Sequence, residues 1–255
     1  MKIDTTKPHI GRIYDFVLGG HHNYEVDRQY AEKMISVFPA YPKFARLNRW
    51  FLQLVADRWA AQGIERVLDI GSGLPTQGHL NEYLPDARIL FTDNDPLSVS
   101  CGEEIIKDNH TMKYIMADIR DPDPLIEEAT GFFGDERRVA IGFIGLAYLL
   151  ADEEVKNLVQ RLHAWCAPGS AMAVSYLTPN KGMGETEAQR AMGDLTKRLG
   201  FNPQSRTAEH LAEVIAPWRI VEARPLDKLL DVEDMVTEDD KTNIGVIMAG
   251  AIAER

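Results

Sequence analysis

Residues 67–80 read VLDIGSGLPTQGHL, an apolar run that meets an acid, a glycine turn and the start of a helix. Asp69 stands at the end of the predicted strand. Gly71, Ser72 and Gly73 form a turn whose missing side chains let a ligand approach the backbone closely. Pro75 suits the first helical position, where no backbone donor is needed. A dinucleotide fingerprint places a third glycine three residues after Gly73, but Thr76 stands there and the next glycine is Gly78. No Lys-Ser or Lys-Thr pair follows, which excludes a P-loop. The turn therefore fits a nucleotide-like ligand and disfavours a pyrophosphate.

Outward from this turn, strand patterns at 66–70, 87–92, 112–116, 139–146 and 170–177 alternate with helical ones. Their nearly continuous apolar character suits a parallel sheet covered on both faces. Val155, Leu158, Val159, Leu162, Trp165 and Cys166 fall at helical spacing, and APGS at 167–170 ends that helix. Two more helices are expected in 184–200 and 207–216. Strand patterns at 218–223 and 243–252 enclose the acidic segment LDVEDMVTEDDK, and their simplest pairing is an antiparallel hairpin at the sheet edge. The predicted fold is α/β, a doubly wound, seven-stranded, mostly parallel sheet with right-handed crossovers and its last strand antiparallel. Residues 1–62 read as a helical leader or lid, with Phe44, Leu47, Phe51, Leu54 and Val55 on one face, ahead of a ligand-binding domain at 63–255.

The 255 residues suffice for one large domain with a sizeable core, and 45% apolar with 26% charged residues is ordinary globular composition. With 39 acidic against 28 basic residues the net charge is −11, so a phosphate backbone is repelled and no nucleic-acid partner is expected. Cys101 and Cys166 are too few and too isolated for a disulfide framework or a zinc cluster, and adjacent histidines face different sides of an element, so no metal site is expected. MKIDTTKPHIGRIYDF carries no apolar core behind a basic start, and no run reaches membrane-span length. The expectation is a cytoplasmic protein with no membrane partner; oligomeric state is not readable.

Two further strand ends sharpen the ligand. Twenty residues after Gly73, ILFTDND sets Asp93 and Asn94 at the end of the second strand, where an acid can accept from both hydroxyls of a ribose. After the third strand, YIMADIRDP sets Asp118 to accept from an adenine amino group, with Ile119 beside the ring. Asp95 is expected to cap the helix beginning near Pro96.

VLDIGSGLPTQG, FTDNDP and ADIRDP resemble the successive ligand-binding motifs of class I S-adenosylmethionine-dependent methyltransferases. PHIGRIYDFVLGGHHNYEVDRQYAE, taken with LDIGSGLPTQG and DNDP, is similar to the actinobacterial-type S-adenosyl methyltransferase family, once known as a domain of unknown function. The resemblance covers most of the chain and implies the seven-stranded Rossmann-like fold with S-adenosyl-L-methionine as cofactor. It implies that Asp69 and the backbone of Gly71, Ser72 and Gly73 hold the methionyl amino end, with Thr76 a further cofactor-binding residue. Asp93 and Asn94 would hold the ribose, and Asp118 with Ile119 the adenine. Tyr148 stands where a histidine is expected after strand four.

Methyl transfer from a sulfonium is an in-line displacement with a good leaving group, so the protein has mainly to align the reactants and remove any acceptor proton. Arg12 is a candidate for bidentate binding of the methionyl carboxylate. Tyr148 and His22 are the leading candidate bases, with Tyr176 and His21 behind them. A loop around GGHHNY is expected between an IGRIYDF turn and a helix from about Asp27, and residues 10–30 are expected to form a lid with Arg12, Tyr14 and Asn23 facing the cofactor. No Asn-Pro-Pro-Tyr tetrapeptide is present, and a small-molecule acceptor is expected. Rival readings are a nicotinamide-dependent oxidoreductase and a cofactor-binding sensor without an acceptor site.

Overall fold

The computed structural model describes residues 3–74 and 78–255, so the expected helix start at Pro75 and the ligand role of Thr76 lie outside the described residues. Seven strands form one sheet: β1 (Arg66–Ile70), β2 (Arg88–Asp93), β3 (Met112–Met116), β4 (Ala140–Phe143), β5 (Ala171–Pro179), β6 (Arg219–Pro225) and β7 (Val246–Glu254). Their order is β3-β2-β1-β4-β5-β7-β6. The first five run parallel, and β7 is antiparallel to both β5 and β6. The doubly wound sheet with an antiparallel last strand is the one that the residue pattern predicts. Within the hairpin β7 takes the inner place. Its VIMAGAIAE is buried at seven of nine positions, whereas β6 carries Arg219 and Glu222 and suits the solvated edge.

Period-two alternation sends successive strand residues to opposite faces. Val67, Ile89, Phe91 and Ala173 join one apolar cluster, and Leu68, Leu90, Ile141 and Val174 join another behind the sheet. The first face is covered by three leader helices, α1 (Ile10–Val17), α2 (Glu25–Val37) and α3 (Tyr41–Ala61). The short α4 (Leu80–Tyr83) and α5 (Pro96–Ile106) complete it. The second face is covered by α6 (Pro122–Phe133) and α7 (Asp152–Trp165). Between β5 and β6 come α8 (Glu187–Arg198) and α9 (Ala208–Val214), the two helices expected there. Of the predicted α3 face, Phe44, Leu47, Phe51 and Val55 are buried and Leu54 is half-buried.

Three local departures have physical causes. IGRIYDF, expected as a turn, is most of α1: His9 Nδ1 accepts the Gly11 N–H at 3.3 Å, and Ile13 and Val17 supply a buried side. Strand β4 stops at Phe143 rather than 146, because Gly145 turns into the left-handed region at φ 82° and its N–H donates to Ser175 Oγ at 2.8 Å. Strand β5 runs on to Pro179, because β7 pairs with it along its whole length. Among the described residues no helix is long and apolar enough to cross a membrane.

Candidate active site

The parallel strands end on one side of the sheet, and the turns that follow them meet there. Gly71 and Gly73 both take left-handed backbone, at φ 63° and 71°. A Cβ on Gly71 would stand 2.1 Å from Leu146 Cδ1, so the absent side chain lets the turns after β1 and β4 close on each other. Neighbouring strands hold the turn in shape. The Ser72 N–H donates to Thr92 O at 2.8 Å, the Tyr114 hydroxyl to Gly73 O at 2.5 Å, and the Gly73 N–H to Asp93 Oδ2 at 2.9 Å. Asp93 Oδ1 accepts the Asp95 N–H at 2.8 Å. Each carboxylate oxygen has capacity for a second donor. Burial raises the Asp93 pKa, while these two N–H groups pull it down.

Asp69 is buried among apolar strands, and that desolvation pushes its carboxyl up to about 6, against the weaker opposing pull of Ser72 and Arg49. Opposite it on β4 is Gly142, where a Cβ would lie 2.6 Å from Asp69 Oδ1. From α3 come Asn48 and Arg49. Arg49 forms no ion pair among the described residues, its Nε is buried without a partner, and its guanidinium lies 5.8 Å from the Tyr14 ring centre.

Asn48, Arg49, Asp69, Asp93 and the glycine turn border one cavity of about 610 Å³. Of the predicted site residues, Tyr14, Asp69, Gly71, Ser72, Gly73, Asp93, Asn94, Asp118, Ile119 and Tyr148 all line it. Asp118 is exposed at the rim, held by Arg120 through Nε at 2.9 Å and Nη2 at 2.6 Å; this pairing lowers its pKa. The Tyr14 hydroxyl donates to Ala45 O at 3.0 Å. Tyr148 sits on a short helical turn, Ala147–Leu149, and burial in the cavity raises its phenol well above the ordinary value. Its hydroxyl is a hydrogen-bonding group of the cavity wall. Arg206, almost fully buried, holds this segment by donating to Ala147 O at 2.7 Å, Leu150 O at 2.8 Å and Asp152 Oδ1 at 2.8 Å.

Three expected site residues face elsewhere. Arg12 is buried under the leader, donating to Asp4 O at 3.1 Å and Lys7 O at 2.9 Å, with Asp27 3.4 Å away. A buried guanidinium must be paired, and those partners lie outside the cavity. Asn23 donates to Asp15 Oδ2 at 2.8 Å and Gly20 O at 3.0 Å, which makes it the clasp of the glycine loop. His22 has an exposed ring, and its backbone N–H donates to the same Asp15 at 2.9 Å. Of the second-rank bases, Tyr176 is buried in the core cluster behind the sheet and His21 is exposed. Asp95 does stand at the start of α5, but its side chain caps no backbone N–H; it lies 3.5 Å from Ser98 Oγ and 3.7 Å from His9 Nδ1.

Asn48, Arg49, Gly142 and Arg206 escape the motif reading. Asn48 had a signal: Phe44, Asn48 and Leu52, each four apart, are all buried, so a polar residue sits within the apolar stripe of α3.

A family model described as S-adenosyl methyltransferase matches residues 1–253. A crystal structure from Thermobifida fusca YX, provisionally designated a methyltransferase, superposes with a TM-score of 0.85 at 28% identity, over 99% of this chain and 96% of that one. A DUF574 family protein from Streptomyces avermitilis MA-4680 gives 0.83 at 25% identity, with 100% of both chains covered. Magnesium protoporphyrin IX methyltransferase from Synechocystis PCC 6803, solved with bound S-adenosylhomocysteine, gives 0.55 at 11% identity over 95% and 92% of the two chains, a likeness of fold. No curated protein matches the sequence.

Proposed function

The chain belongs to the S-adenosyl methyltransferase family, and from that premise we propose a small-molecule acceptor and a place in the cavity for each part of the cofactor. The enzyme is an S-adenosylmethionine-dependent methyltransferase, and its cofactor supplies an electrophilic methyl group on a sulfonium leaving group.

The observation that carries the assignment is the pair of opposite charges, neither of them ion-paired, beside the glycine turn. Among the described residues neither the buried Asp69 carboxylate nor the Arg49 guanidinium has a partner within ion-pair distance, and Arg49 acts on Asp69 only as a weak pull from farther off. A methionyl group, carrying one ammonium and one carboxylate, matches both. Asp69 accepts from the ammonium, and Arg49 takes over the carboxylate role first given to Arg12. Asp93 keeps acceptor capacity on both oxygens for the ribose hydroxyls, with Asn94 beside it. Asp118 and Ile119, at the end of β3, serve the adenine. Residues 9–14 of the leader roof this part of the cavity, and with His9, Ile10, Gly11 and Tyr14 lining it they form the lid.

A small acceptor is supported by the cavity, whose volume falls within the roughly 300–1,000 Å³ of small-molecule sites, and by the negative net charge, which opposes nucleic acid. Both cysteines are free, in keeping with a cytoplasmic enzyme. The chain's own contribution is to align the acceptor and exclude water, with Tyr148 offering a neutral hydroxyl. Calorimetry with S-adenosylhomocysteine and with NAD tests the reading. Tight binding of the former and none comparable of NAD is expected; the reverse would overturn it.

A further inference from the structure

Behind the proposed cofactor position the cavity changes character. Phe38, Tyr41, Phe44, Met192, Ile244 and Met248 make an apolar wall drawn from the residue after α2, from α3 and α8, and from the approach to β7 and its first residues. The charged residues on this side, Glu185, Arg190, Asp194 and Lys197, are exposed at the rim. In the midst of the wall stands Asn48, only 1% exposed, its carboxamide beside the Tyr14 and Tyr148 hydroxyls but with neither Nδ2 nor Oδ1 in hydrogen-bond geometry with any described residue. A Cβ on Gly145 would meet Asn48 Nδ2 at 3.8 Å and the Tyr148 hydroxyl at 4.0 Å, so the carboxamide and the phenol converge over that glycine. The Tyr14 hydroxyl, also beside Asn48, is committed to Ala45 O.

A buried carboxamide whose two polar atoms lack well-formed hydrogen bonds costs free energy that a bound partner offsets. Its donor and acceptor lie side by side, so the matching partner presents an acceptor and a donor side by side. The surrounding rings favour a flat apolar body. A charged acceptor would need a buried counter-ion, and the inward-facing cation, Arg49, is assigned to the methionyl carboxylate.

We propose that Asn48 is the specificity-determining residue of the acceptor site, and that it selects an uncharged, flat aromatic acceptor carrying adjacent N–H and C=O groups, as in a ring lactam. The inference rests on the cofactor placement above. Binding in a paired fashion fixes the ring's rotation within its plane, which presents one edge to the methyl group.

The test uses the full chain saturated with S-adenosylhomocysteine, with 2-quinolone, N-methyl-2-quinolone and 2-naphthoate as probes in saturation-transfer NMR. Expected is binding of 2-quinolone with about tenfold preference over its N-methyl form, in line with one or two net hydrogen bonds, and no binding of 2-naphthoate. In Asn48→Leu the preference disappears while S-adenosylhomocysteine affinity, measured by calorimetry, is kept. Equal binding of the two quinolones by the natural protein overturns the proposal without any variant. So does loss of S-adenosylhomocysteine affinity in a folded Asn48→Leu, which would assign the residue to the cofactor. Failure of the natural protein to bind S-adenosylhomocysteine is a separate result, and it would sink the cofactor placement itself.

Discussion

The carboxylate of Asp93 accepts the backbone N–H of Gly73 across 2.9 Å, so the end of the second strand holds the ligand-binding turn of the first. The residue proposed to take the ribose is thus also a structural tie. Asp93→Ala removes both roles, and its loss of S-adenosylhomocysteine affinity is expected at about 1.5–3 kcal/mol, the range for hydrogen bonds to a charged group. Asp93→Asn keeps one acceptor oxygen and is expected to lose less. Calorimetry on both folded variants decides; unchanged affinity in Asp93→Ala would confine the residue to its tie.

Asp69 links stability to pH in the opposite sense from an ion-paired carboxylate. Its pKa is about 6 in the folded protein against an ordinary 3.8, so the folded state binds the proton more tightly than the unfolded chain. Stability is therefore greatest on this account below the ordinary value. It falls as pH rises through about 6, by a cost on the order of 3 kcal/mol at the plateau. Cofactor affinity moves the other way, because the ammonium requires the ionised carboxylate. Melting curves and calorimetry between about pH 5 and pH 8 should show the two trends crossing. Asp69→Asn should raise the melting temperature of the ligand-free protein at neutral pH, flatten its pH dependence and abolish tight binding. A lower melting temperature with unchanged binding would refute the role.

Gly142 shows how the sheet makes room for that carboxylate. It pairs with Asp69 across β1 and β4, and an added methyl would sit 2.6 Å from Oδ1. The backbone there needs no left-handed conformation, so Gly142→Ala tests the side-chain contact alone. The strand should persist while Asp69 is pushed from its position, with S-adenosylhomocysteine affinity down about tenfold, the equivalent of 1.4 kcal/mol. Circular dichroism unchanged beside weaker calorimetric binding is the expected combination. Full affinity would show that Asp69 has room to move without consequence.

What the sequence discloses about this site divides by the kind of element that carries each residue. Asp69, Asp93 and Asp118 sit at the ends of parallel strands, and chain order alone brings three such ends together. Strands β1 and β3 are legible to the residue because apolar runs bounded by polar turns have few alternatives. The leader is different, because its polar residues choose partners through tertiary packing. Asp27 draws Arg12 inward and Asp15 draws Asn23, so residue types suited to a ligand are used to hold the leader together. Arg49 is the converse case: nothing in LNRW distinguishes it from a surface arginine until α3 is laid across the strand ends.

That division makes a sharper expectation for the leader. Residues 18–24 fold on themselves around Asp15, which takes the His22 N–H and the Asn23 side chain, and they do not reach the cavity. The first turn of α1 does, through Ile10, Gly11 and Tyr14. His9 also stands 3.7 Å from Asp95, whose backbone N–H is bonded to Asp93, so the roof touches the ribose turn directly. A ligand that orders this turn should therefore order α1 and leave the glycine loop unaffected, because local opening follows cooperative units rather than sequence proximity. Hydrogen exchange with and without S-adenosylhomocysteine checks this. Protection should rise around Gly71 to Gly73, around Asp93 and in Ile10–Val17, with residues 18–24 unchanged. If protection rises in the strand-end motifs alone, α1 is packing rather than a lid. If it rises across the loop as well, the Asp15 clasp is itself part of the closure.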